Sequence, residues 1–428
     1  MPASARHNLS LNLFILYNII LIPILIFILI STIFVKKMRA GFLMRILPTT
    51  INLDDECVLI HSSSLGEARM ATYLADIIKK LSPTCSIIGS SFTIDGLNVI
   101  KESSLFSHTM LYPLDFYPLV AYKLRRSRPH TIVLLESDLW PSLIYWGKRK
   151  GARIVIFSGR LTKKAVRLMG AFKMIVTQLY QNVDRIYAVN NEERNRLIDI
   201  GVNRSIIEVS GSMKYIKEPK KPPKRDIKRL RGMLGIKEED IVITAGSTHS
   251  GEEEIILGIF MNLKRTYKDI KLIIAPRYIE RSDEIKGFSQ NSNFVTAKYS
   301  DNNIIRQDWD VMIVDRIGLL SDLYSISRVA FVGGSFVNRG GQNIMEPARY
   351  GVPVAFGPNI TNFRYEADML LSNNGGRMIR NTSELGIFLK EIIDNDHLHK
   401  RYSEGALKTY KSLVFNKSVI INEIKEWL

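Results

Sequence analysis

The residues best suited to chemistry lie between positions 333 and 363, in the stretch GGSFVNRGGQNIMEPARYGVPVAFGPNITNF. A glycine-rich turn is followed there by an Asn-x-x-Glu-Pro helix start and by a Gly-x-Pro-Val strand. Glycine lets the backbone approach a phosphate closely, and a helix N-terminus offers N–H groups to an anion. The carboxylate of Glu346, in the first turn of that helix, could hold ribose hydroxyls. This order suits a sugar nucleotide, although a glycine-rich loop beside an edge strand has the same signature.

A second candidate is Glu67, which ends the segment HSSSLGE at an expected strand-to-helix turn. A carboxylate at the end of a parallel strand could act as a general base. Ser64, three residues earlier, could instead form a capping box with Glu67 and give it a structural role. The sequence alone is compatible with both roles.

Two further carboxylates, Glu136 and Asp138, interrupt the apolar run LLESDLWP. Buried carboxylates need partners, and Arg160 in SGRLTKK and Lys214 in SGSMKY also follow strand-like runs. We therefore expect acidic and basic groups together on one edge of a sheet. An ion pair that serves the fold alone would give the same pattern.

The second half of the chain contains GSTHSGEEE, at residues 246–254, which is typical of an anion-binding turn. Arg277 follows the apolar run KLIIAP and offers a guanidinium suited to bidentate phosphate binding. The triplet Asp308-Trp309-Asp310 could hold a cation, but such triplets also arise by chance and we expect no metal site. His249 is expected to be a hydrogen-bonding group.

Bulk composition limits the partners. The 428 residues carry a formal charge of +17, which indicates an anionic partner such as nucleic acid, phospholipid or a phosphorylated substrate. The basic run from Lys220 to Arg231 has no interleaved aromatic residues, which argues against nucleic acid. Two cysteines, Cys57 and Cys85, do not indicate a disulfide framework and fit a reducing compartment.

The N-terminal sequence predicts a membrane anchor. Residues 11 to 35 carry no charge over 25 positions, enough for one helix to cross a bilayer. A cleaved signal peptide would have a shorter apolar region. Basic residues such as Lys36 and Lys37 follow the run, so the rest of the chain is expected in the cytoplasm.

Alternating strand-like and helical patterns predict an α/β fold with two doubly wound, Rossmann-like halves and a cleft between them at the carboxyl ends of both sheets. The segment PKKPPKRD marks the expected boundary. We predict an anchor at residues 1–40, a first Rossmann-like domain at 41–218, a linker at 219–226, a second Rossmann-like domain at 227–395 and closing helices at 396–428.

These segments together resemble the Kdo transferases, the bacterial 3-deoxy-D-manno-oct-2-ulosonic acid transferases, which have the GT-B architecture. The resemblance extends from the anchor to at least Phe363. It is carried, in the family's order, by HSSSLGE, ESDLWP, SGRLT, GSMK, GSTHSGEEE, PR, GGSFVNRGGQNIMEP and GVPVAFGP.

The resemblance implies roles for individual residues. Glu67 matches the general base, and Glu136 and Lys214 match residues that stabilise the transition state. The positions that match the CMP-binding residues are Pro276, Arg277, Ile317, Gly318, Leu319, Asn343, Ile344, Met345 and Glu346.

The chain departs from the family pattern at three places. Gln342 and Tyr278 stand where the family usually has histidine, and Leu319 stands where it has glutamate. These changes are expected to affect affinity for the donor more than the type of reaction.

The implied reaction is inverting and metal-independent, and it moves Kdo from CMP-Kdo to a phosphorylated lipid A precursor, lipid IVA, in lipopolysaccharide synthesis. No cofactor is expected beyond this donor substrate. The implied location is the cytoplasmic face of the inner membrane, in contact with its lipids and with no nucleic acid partner. Alternatives are a membrane-anchored transferase that uses another nucleotide sugar, or a non-catalytic protein that binds an anionic glycolipid.

Overall fold

The computed structural model of the chain describes residues 11–34, 42, 44–46, 51–136, 139–161, 173–216, 223–301 and 308–428. The chain divides into two compact units, Met1–Ile216 with Leu413–Leu428, and Lys217–Ser412. Several positions named above lie outside the described residues: Asp138, Lys36 and Lys37, and residues 219–222 of the predicted linker.

The first unit is built on a parallel sheet with the strand order β3-β2-β1-β4-β5-β6-β7. Its strands are β1 (Asn52–Ser62), β2 (Ser86–Ser91), β3 (His108–Leu111), β4 (Arg126–Leu135), β5 (Arg153–Gly159), β6 (Arg185–Ala188) and β7 (Ile207–Val209). Its helices are α1 (Leu11–Phe34), α2 (Leu65–Leu81), α3 (Ile94–Glu102), α4 (Tyr117–Lys123), α5 (Pro141–Arg149), α6 (Lys173–Tyr180), α7 (Asn191–Asp199), a short 3₁₀ helix (Arg204–Ile206) and, from the chain end, α16 (Lys417–Trp427). The strand order reverses between β1 and β4, the point at which doubly wound sheets bind ligands.

The central strands of this sheet are apolar on both faces. Val58, Leu59 and Ile60 of β1 are fully buried, as are Ile132 and Val133 of β4. Parallel strands with helices on both faces have such continuous apolar runs. This burial explains why apolar runs in the sequence predict the strands correctly.

Helix α1 packs against the first unit through its N-terminal turns. The ring of Phe14 stacks on Tyr145 with centroids 3.9 Å apart, and Tyr17 Oη donates to Asp115 Oδ2 over 2.8 Å. The sequence predicted a membrane span in this region. Across the residues that the structure describes, no helix has both the length and the apolar character needed to cross a membrane.

The second unit has its own parallel sheet, with the strand order β10-β11-β9-β8-β12-β13-β14. Its strands are β8 (Ile241–Thr248), β9 (Ile270–Pro276), β10 (Thr296–Lys298), β11 (Val311–Ile313), β12 (Val329–Val332), β13 (Val354–Phe356) and β14 (Gly376–Met378). Its helices are α8 (Lys224–Met233), α9 (Glu252–Thr266), α10 (Ser282–Asn291), α11 (Leu320–Tyr324), α12 (Met345–Ala348), α13 (Arg364–Ser372), α14 (Thr382–Asp394), α15 (Asp396–Leu413) and two 3₁₀ turns (Ile279–Arg281 and Thr361–Phe363).

Two details concern the predicted boundaries. Helix α8 begins at Lys224, directly after Pro223, so the end of the predicted linker is helical. At the chain end, Phe415, Ile420 and Ile424 are buried in the core of the first unit. Helix α16 therefore completes the first unit although it follows the second in sequence.

Candidate active site

Glu67 lies in the first turn of α2, directly after β1. Ser64 caps the helix: its Oγ accepts from Glu67 N over 3.3 Å and donates to Glu67 Oε1 over 2.8 Å. The backbone N–H of Ser63 donates to Glu67 Oε2 over 2.7 Å. The capping interaction expected from the sequence is therefore present. It also fixes the carboxylate at the carboxyl edge of the sheet, where a base would be needed.

Glu136 is the first residue after β4, in a left-handed conformation with φ of 59°. Its Oε1 lies 2.5 Å from Lys214 Nζ, and its Oε2 accepts from Arg160 Nη2 over 2.7 Å and from Nε over 3.1 Å. Burial alone would raise the pKa of Glu136, but the charges of Arg160 and Lys214 outweigh burial and hold this pKa below its ordinary value. We call these three residues the ion triad. The ionic partners expected from the sequence are thus the ones that the structure brings together.

The elements that carry the two cations are themselves tied down. Beside Arg160, the backbone N–H of Leu161 donates to Glu193 Oε2 over 2.6 Å. Beside Lys214, the backbone N–H of Met213 donates to Ser158 Oγ over 2.9 Å. These bonds tie the end of β5 to α7 and to the turn after β7, so the ion triad is preorganised.

The ion triad and Glu67 are neighbours. A β-carbon placed on Gly66 would lie 3.9 Å from Lys214 Cε. The structure therefore brings Glu67, Glu136 and Lys214 together at the strand ends of the first unit, around the switch between β1 and β4.

A buried polar cluster at the carboxyl end of β1 was not found from the sequence. His61, at the end of β1, is buried with Nδ1 3.0 Å from Ser90 Oγ, and burial, with Arg45, lowers the pKa of His61 to about 3. Tyr112 Oη donates to Asp115 Oδ1 over 2.6 Å, and burial raises the pKa of Asp115 to about 6. His61 and Ser90 are 29 residues apart in sequence, whereas Tyr112 and Asp115 are three apart. The signal that could have found these residues was polar side chains at the ends of apolar runs.

In the second unit, Glu252 occupies the expected anion-binding turn. Its Oε2 accepts from the backbone N–H groups of His249 over 2.9 Å and Gly334 over 2.7 Å. Its Oε1 accepts from those of Ser335 over 3.1 Å and Phe336 over 3.0 Å. These four N–H groups bind the protein's own buried carboxylate, and anion binding by the other N–H groups of residues 246–254 stays a prediction. Sequence reasoning missed this role for Glu252.

The predicted CMP-binding residues follow three strands of the second sheet. Pro276 ends β9, and the next residue, Arg277, donates its backbone N–H to Thr248 O over 2.9 Å. Ile317 is 85% exposed in the turn after β11, and Gly318 has φ of 92°, which favours glycine. Leu319 is the residue before α11. These residues lie at the carboxyl ends of β9 and β11, which are hydrogen-bonded neighbours.

The third segment, Asn343 to Glu346, follows β12. Ile344 and Met345 are fully buried, so their side chains are not available to a ligand. Asn343 Oδ1 accepts from Met345 N over 3.1 Å, and Asn343 Nδ2 donates to Glu346 Oε1 over 3.3 Å. Helix α12, whose N-terminus was expected to offer N–H groups to an anion, has only four residues and therefore a small macrodipole. Asn343 and Glu346 are the side chains of this segment that remain partly exposed.

Two of the departures from the family pattern contact the same residue. Gln342 Nε2 lies 3.3 Å from His249 Nε2, and the ring of Tyr278 meets the imidazole edge-on with centroids 5.7 Å apart. Burial lowers the pKa of His249, and Arg339 and Arg277 lower it further against the opposite effect of Glu252. His249 is thus a neutral hydrogen-bonding group, as the sequence indicated.

The acidic triplet is used for ion pairs. Lys271 Nζ lies 2.9 Å from Asp308 Oδ1, and Lys264 Nζ lies 2.8 Å from Asp310 Oδ1, while Trp309 is buried. Within the described ranges, no three His, Cys, Asp or Glu side chains group as a metal site would require.

Known proteins resemble this chain in sequence and fold. A family model for 3-deoxy-D-manno-octulosonic-acid transferase (kdotransferase) matches residues 37–217. A 3-deoxy-D-manno-octulosonic acid transferase of Aquifex aeolicus is 30% identical over 336 residues, which cover 78% of this chain and 85% of that protein. A bifunctional glycosyltransferase/methyltransferase of Fusobacterium nucleatum subsp. nucleatum is 31% identical over 387 residues, covering 87% of this chain and 59% of that protein. The chain thus spans less than two thirds of this relative.

The fold has a counterpart among solved structures. UDP-GlcNAc 2-epimerase from Neisseria meningitidis, bound to UDP-GlcNAc, has a TM-score of 0.56 at 12% identity, covering 87% of this chain and all of that one. The likeness confirms two parallel α/β units of the GT-B type. The cleft between them stays a prediction.

The two-unit fold, the charged side chains at the strand ends and the named relatives together show that the chain is a glycosyltransferase. More specifically, the chain belongs to the Kdo transferase family.

Proposed function

We propose that this enzyme transfers Kdo from CMP-Kdo to a phosphorylated lipid A precursor, lipid IVA, with inversion of configuration and without a metal. The observation that carries the proposal is the carboxylate of Glu67, held at the carboxyl edge of the first sheet by Ser63 and Ser64, in a turn whose Gly66 lies near Lys214, in a chain of this family. Relatives named as 3-deoxy-D-manno-octulosonic acid transferases support the identity of the sugar.

In the proposed reaction, Glu67 removes the proton of the acceptor's primary hydroxyl while the oxygen of this hydroxyl attacks the anomeric carbon of Kdo. The bond from this carbon to the phosphate oxygen breaks, and its electron pair leaves with CMP. Attack opposite to the leaving group inverts the configuration. The two hydrogen bonds to the Glu67 carboxylate orient it for this step.

In the second unit, Arg277 would bind the phosphate of CMP, and Glu346, oriented by Asn343, would hold the ribose hydroxyls. Ile344 and Met345 are buried, so they would serve by shaping this segment. The guanidinium of Arg277 would offset the charge that grows on the leaving phosphate, which is the task a metal performs in other transferases.

We place the reaction at the cytoplasmic face of the bacterial inner membrane, as a step of lipopolysaccharide synthesis. The support is the family to which the chain belongs and the formal charge of +17. Basic residues near an anionic leaflet each contribute about 1 kcal/mol of attraction. Inner-membrane lipids and the acceptor's phosphates would be the anionic partners.

The proposal is tested by incubating the full chain with CMP-Kdo and lipid IVA and by mass spectrometry of the lipid. We expect a mass increase of one or more Kdo residues. In parallel, CMP should raise the melting temperature more than UDP does, because ligands stabilise the state they bind. Unmodified lipid together with a larger effect of UDP would instead support a transferase for another nucleotide sugar.

A further inference from the structure

The turn that carries Lys214 runs from Ser212 to Tyr215 and is closed by a hydrogen bond from Tyr215 N to Ser212 O over 2.9 Å. Both ends of this turn are bound to a segment near the end of the chain. The backbone N–H of Ser212 donates to Leu413 O over 2.9 Å, and the backbone N–H of Phe415 donates to Tyr215 O over 3.1 Å. The turn is therefore held at its first and last residues, with Lys214 between them.

Residues 413–415, which we call the return segment, are firmly placed in the first unit. They lead the chain from the end of α15 towards α16. Phe415 is buried in the core of the first unit together with Ile420 of α16. Further along α16, the buried carboxylate of Glu423 accepts from Tyr187 Oη over 2.5 Å. The return segment is thus a fixed support against which the turn can be positioned.

Gly211, the residue before the turn, allows the return segment to come so close. It has φ of 85°, and a β-carbon placed on it would lie 2.2 Å from Val414 O and 2.9 Å from Phe415 Cα. Ordinary van der Waals contacts begin at 3.4 Å, so a side chain at this position would force the two backbones about 1 Å apart. Both the left-handed conformation and the close approach require glycine here.

The side chain of Lys214 depends on this support. It is 31% exposed, and its Nζ lies 2.5 Å from Glu136 Oε1, so the ammonium is held at one end and the backbone at the other. A β-carbon placed on Gly66 would lie 3.9 Å from Lys214 Cε, which sets the lysine beside the turn that leads to Glu67. A charge that acts on a reaction must be preorganised, and a displacement of about 1 Å can lower a rate by about 100-fold.

We propose that the return segment positions Lys214 for sugar transfer and that Gly211 is the positioning residue that permits this contact. The inference rests on the proposed function and on the role that the family resemblance implies for Lys214. It gives the return segment a part in the reaction, although this segment lies beyond the motifs that carry the family resemblance.

Gly211→Ala tests the inference, with Gly151→Ala as the matched control. Gly151 is also left-handed, with φ of 81°, but no atom of the described part of the chain lies within 4 Å of an added β-carbon. Both variants therefore carry similar backbone strain, and only Gly211→Ala displaces the return segment. We would measure transfer of Kdo from CMP-Kdo to lipid IVA by the full chain, with CMP binding by calorimetry.

Gly211→Ala should lower kcat by roughly 10- to 100-fold, because it shifts the backbone that carries a charged group. CMP binding should change by less than about twofold, since the residues proposed to bind CMP lie in the second unit. Unchanged CMP binding together with a cooperative melting transition shows that the variant is folded. Gly151→Ala should keep the parent kcat.

The same bonds could close the fold without a part in the reaction, so the second measurement is a double-mutant cycle with Lys214→Met. If Gly211 acts through Lys214, Gly211→Ala should lower the remaining rate of Lys214→Met by less than about twofold. A merely structural role would lower the rate by the same factor in both backgrounds.

A milder variant, Phe415→Leu, keeps the inference testable where Gly211→Ala does not fold. It leaves the backbone of the return segment intact and loosens its packing in the core. We expect kcat to fall by roughly two- to tenfold in the parent background and to stay nearly constant in the Lys214→Met background.

Three results would overturn the inference. Parent-like kcat of a folded Gly211→Ala would remove the return segment from the positioning of Lys214. Equal rate losses in the two backgrounds would make Gly211 merely structural, and parent-like transfer by Lys214→Met would leave nothing to position. Each of these results leaves Kdo transfer in place, whereas a parent protein that transfers no Kdo would overturn the proposed function itself.

Discussion

Each unit has a buried carboxylate at the carboxyl edge of its sheet, and the two are neutralised in different ways. In the first unit, Glu136 contacts the cations of Arg160 and Lys214, whose side chains remain partly exposed. In the second, Glu252 is fully buried and accepts hydrogen bonds from four backbone N–H groups of two loops. Charged side chains that remain partly exposed can contact a substrate. Backbone N–H groups that donate to the buried Glu252 carboxylate are not available to a substrate, and they hold their two loops together. The comparison separates a candidate site for chemistry from a carboxylate that holds two loops together.

The largest effect expected from this comparison is that of Glu136→Gln. Loss of the carboxylate leaves Arg160 and Lys214 without the group that positions them, so kcat/KM for transfer should fall by roughly 100- to 1,000-fold. Steady-state kinetics with CMP-Kdo and lipid IVA measures it. Glu208→Gln, an exposed change in β7, serves as the control. A variant with parent kinetics would make the ion triad merely structural.

Glu252→Gln should act on stability more than on the reaction. An amide oxygen accepts more weakly than a carboxylate, and its NH₂ group faces N–H donors, so the free energy of unfolding should fall by about 2 to 3 kcal/mol. For a unit of this size the melting temperature would drop by roughly 4 to 12 °C. Calorimetric melting tests it, with the exposed Glu254→Gln on the same helix as the control. A parent-like melting temperature would contradict this structural role of Glu252.

Asp115 is a third buried carboxylate to compare with these two. It accepts hydrogen bonds from the hydroxyls of Tyr17 and Tyr112 and from the backbone N–H of Ser142. Burial raises its pKa to about 6, so between pH 4 and 6 the folded protein holds a proton that the unfolded chain has released. The free energy of unfolding therefore decreases as pH rises through this window, by about 3 kcal/mol at most.

Urea unfolding at several pH values tests this sign. The loss between pH 4 and 7 should be present in the parent and in the exposed control Asp95→Asn, and should be absent in Asp115→Asn. Parallel pH profiles for the parent and Asp115→Asn would contradict the raised pKa.

The smallest effect is expected at Gln342, which contacts His249 beside the glycine-rich turn. Gln342→His restores the residue usual in the family and should tighten CMP binding by roughly two- to fivefold, the value of one modest hydrogen bond. Titration calorimetry with CMP measures it. Weaker binding would show that glutamine is already suited to this site.

The sequence allowed the strands and the ion triad to be predicted for the same reason. Strands such as β1 are buried on both faces and appear as continuous apolar runs, and a carboxylate placed where such a run ends needs cations from neighbouring strand ends. Arg160 and Lys214 were the nearest candidates by topology, and the structure pairs both with Glu136.

Glu252 could not be assigned in this way. Its partners Gly334, Ser335 and Phe336 lie more than 80 residues further along the chain, and a glycine turn that binds phosphate has the same residue types as one that binds an internal acid. The burial of Ile344 and Met345 was equally hidden, because a four-residue helix is too short to show a periodic pattern.

Glu67→Gln tests the central claim most directly, because it keeps the shape of the side chain and removes its basicity. With CMP-Kdo and lipid IVA, the variant should transfer sugar roughly 100- to 10,000-fold more slowly than the parent, while CMP binding is unchanged. The exposed Glu102→Gln should retain the parent rate. Transfer by Glu67→Gln at the parent rate would contradict the account.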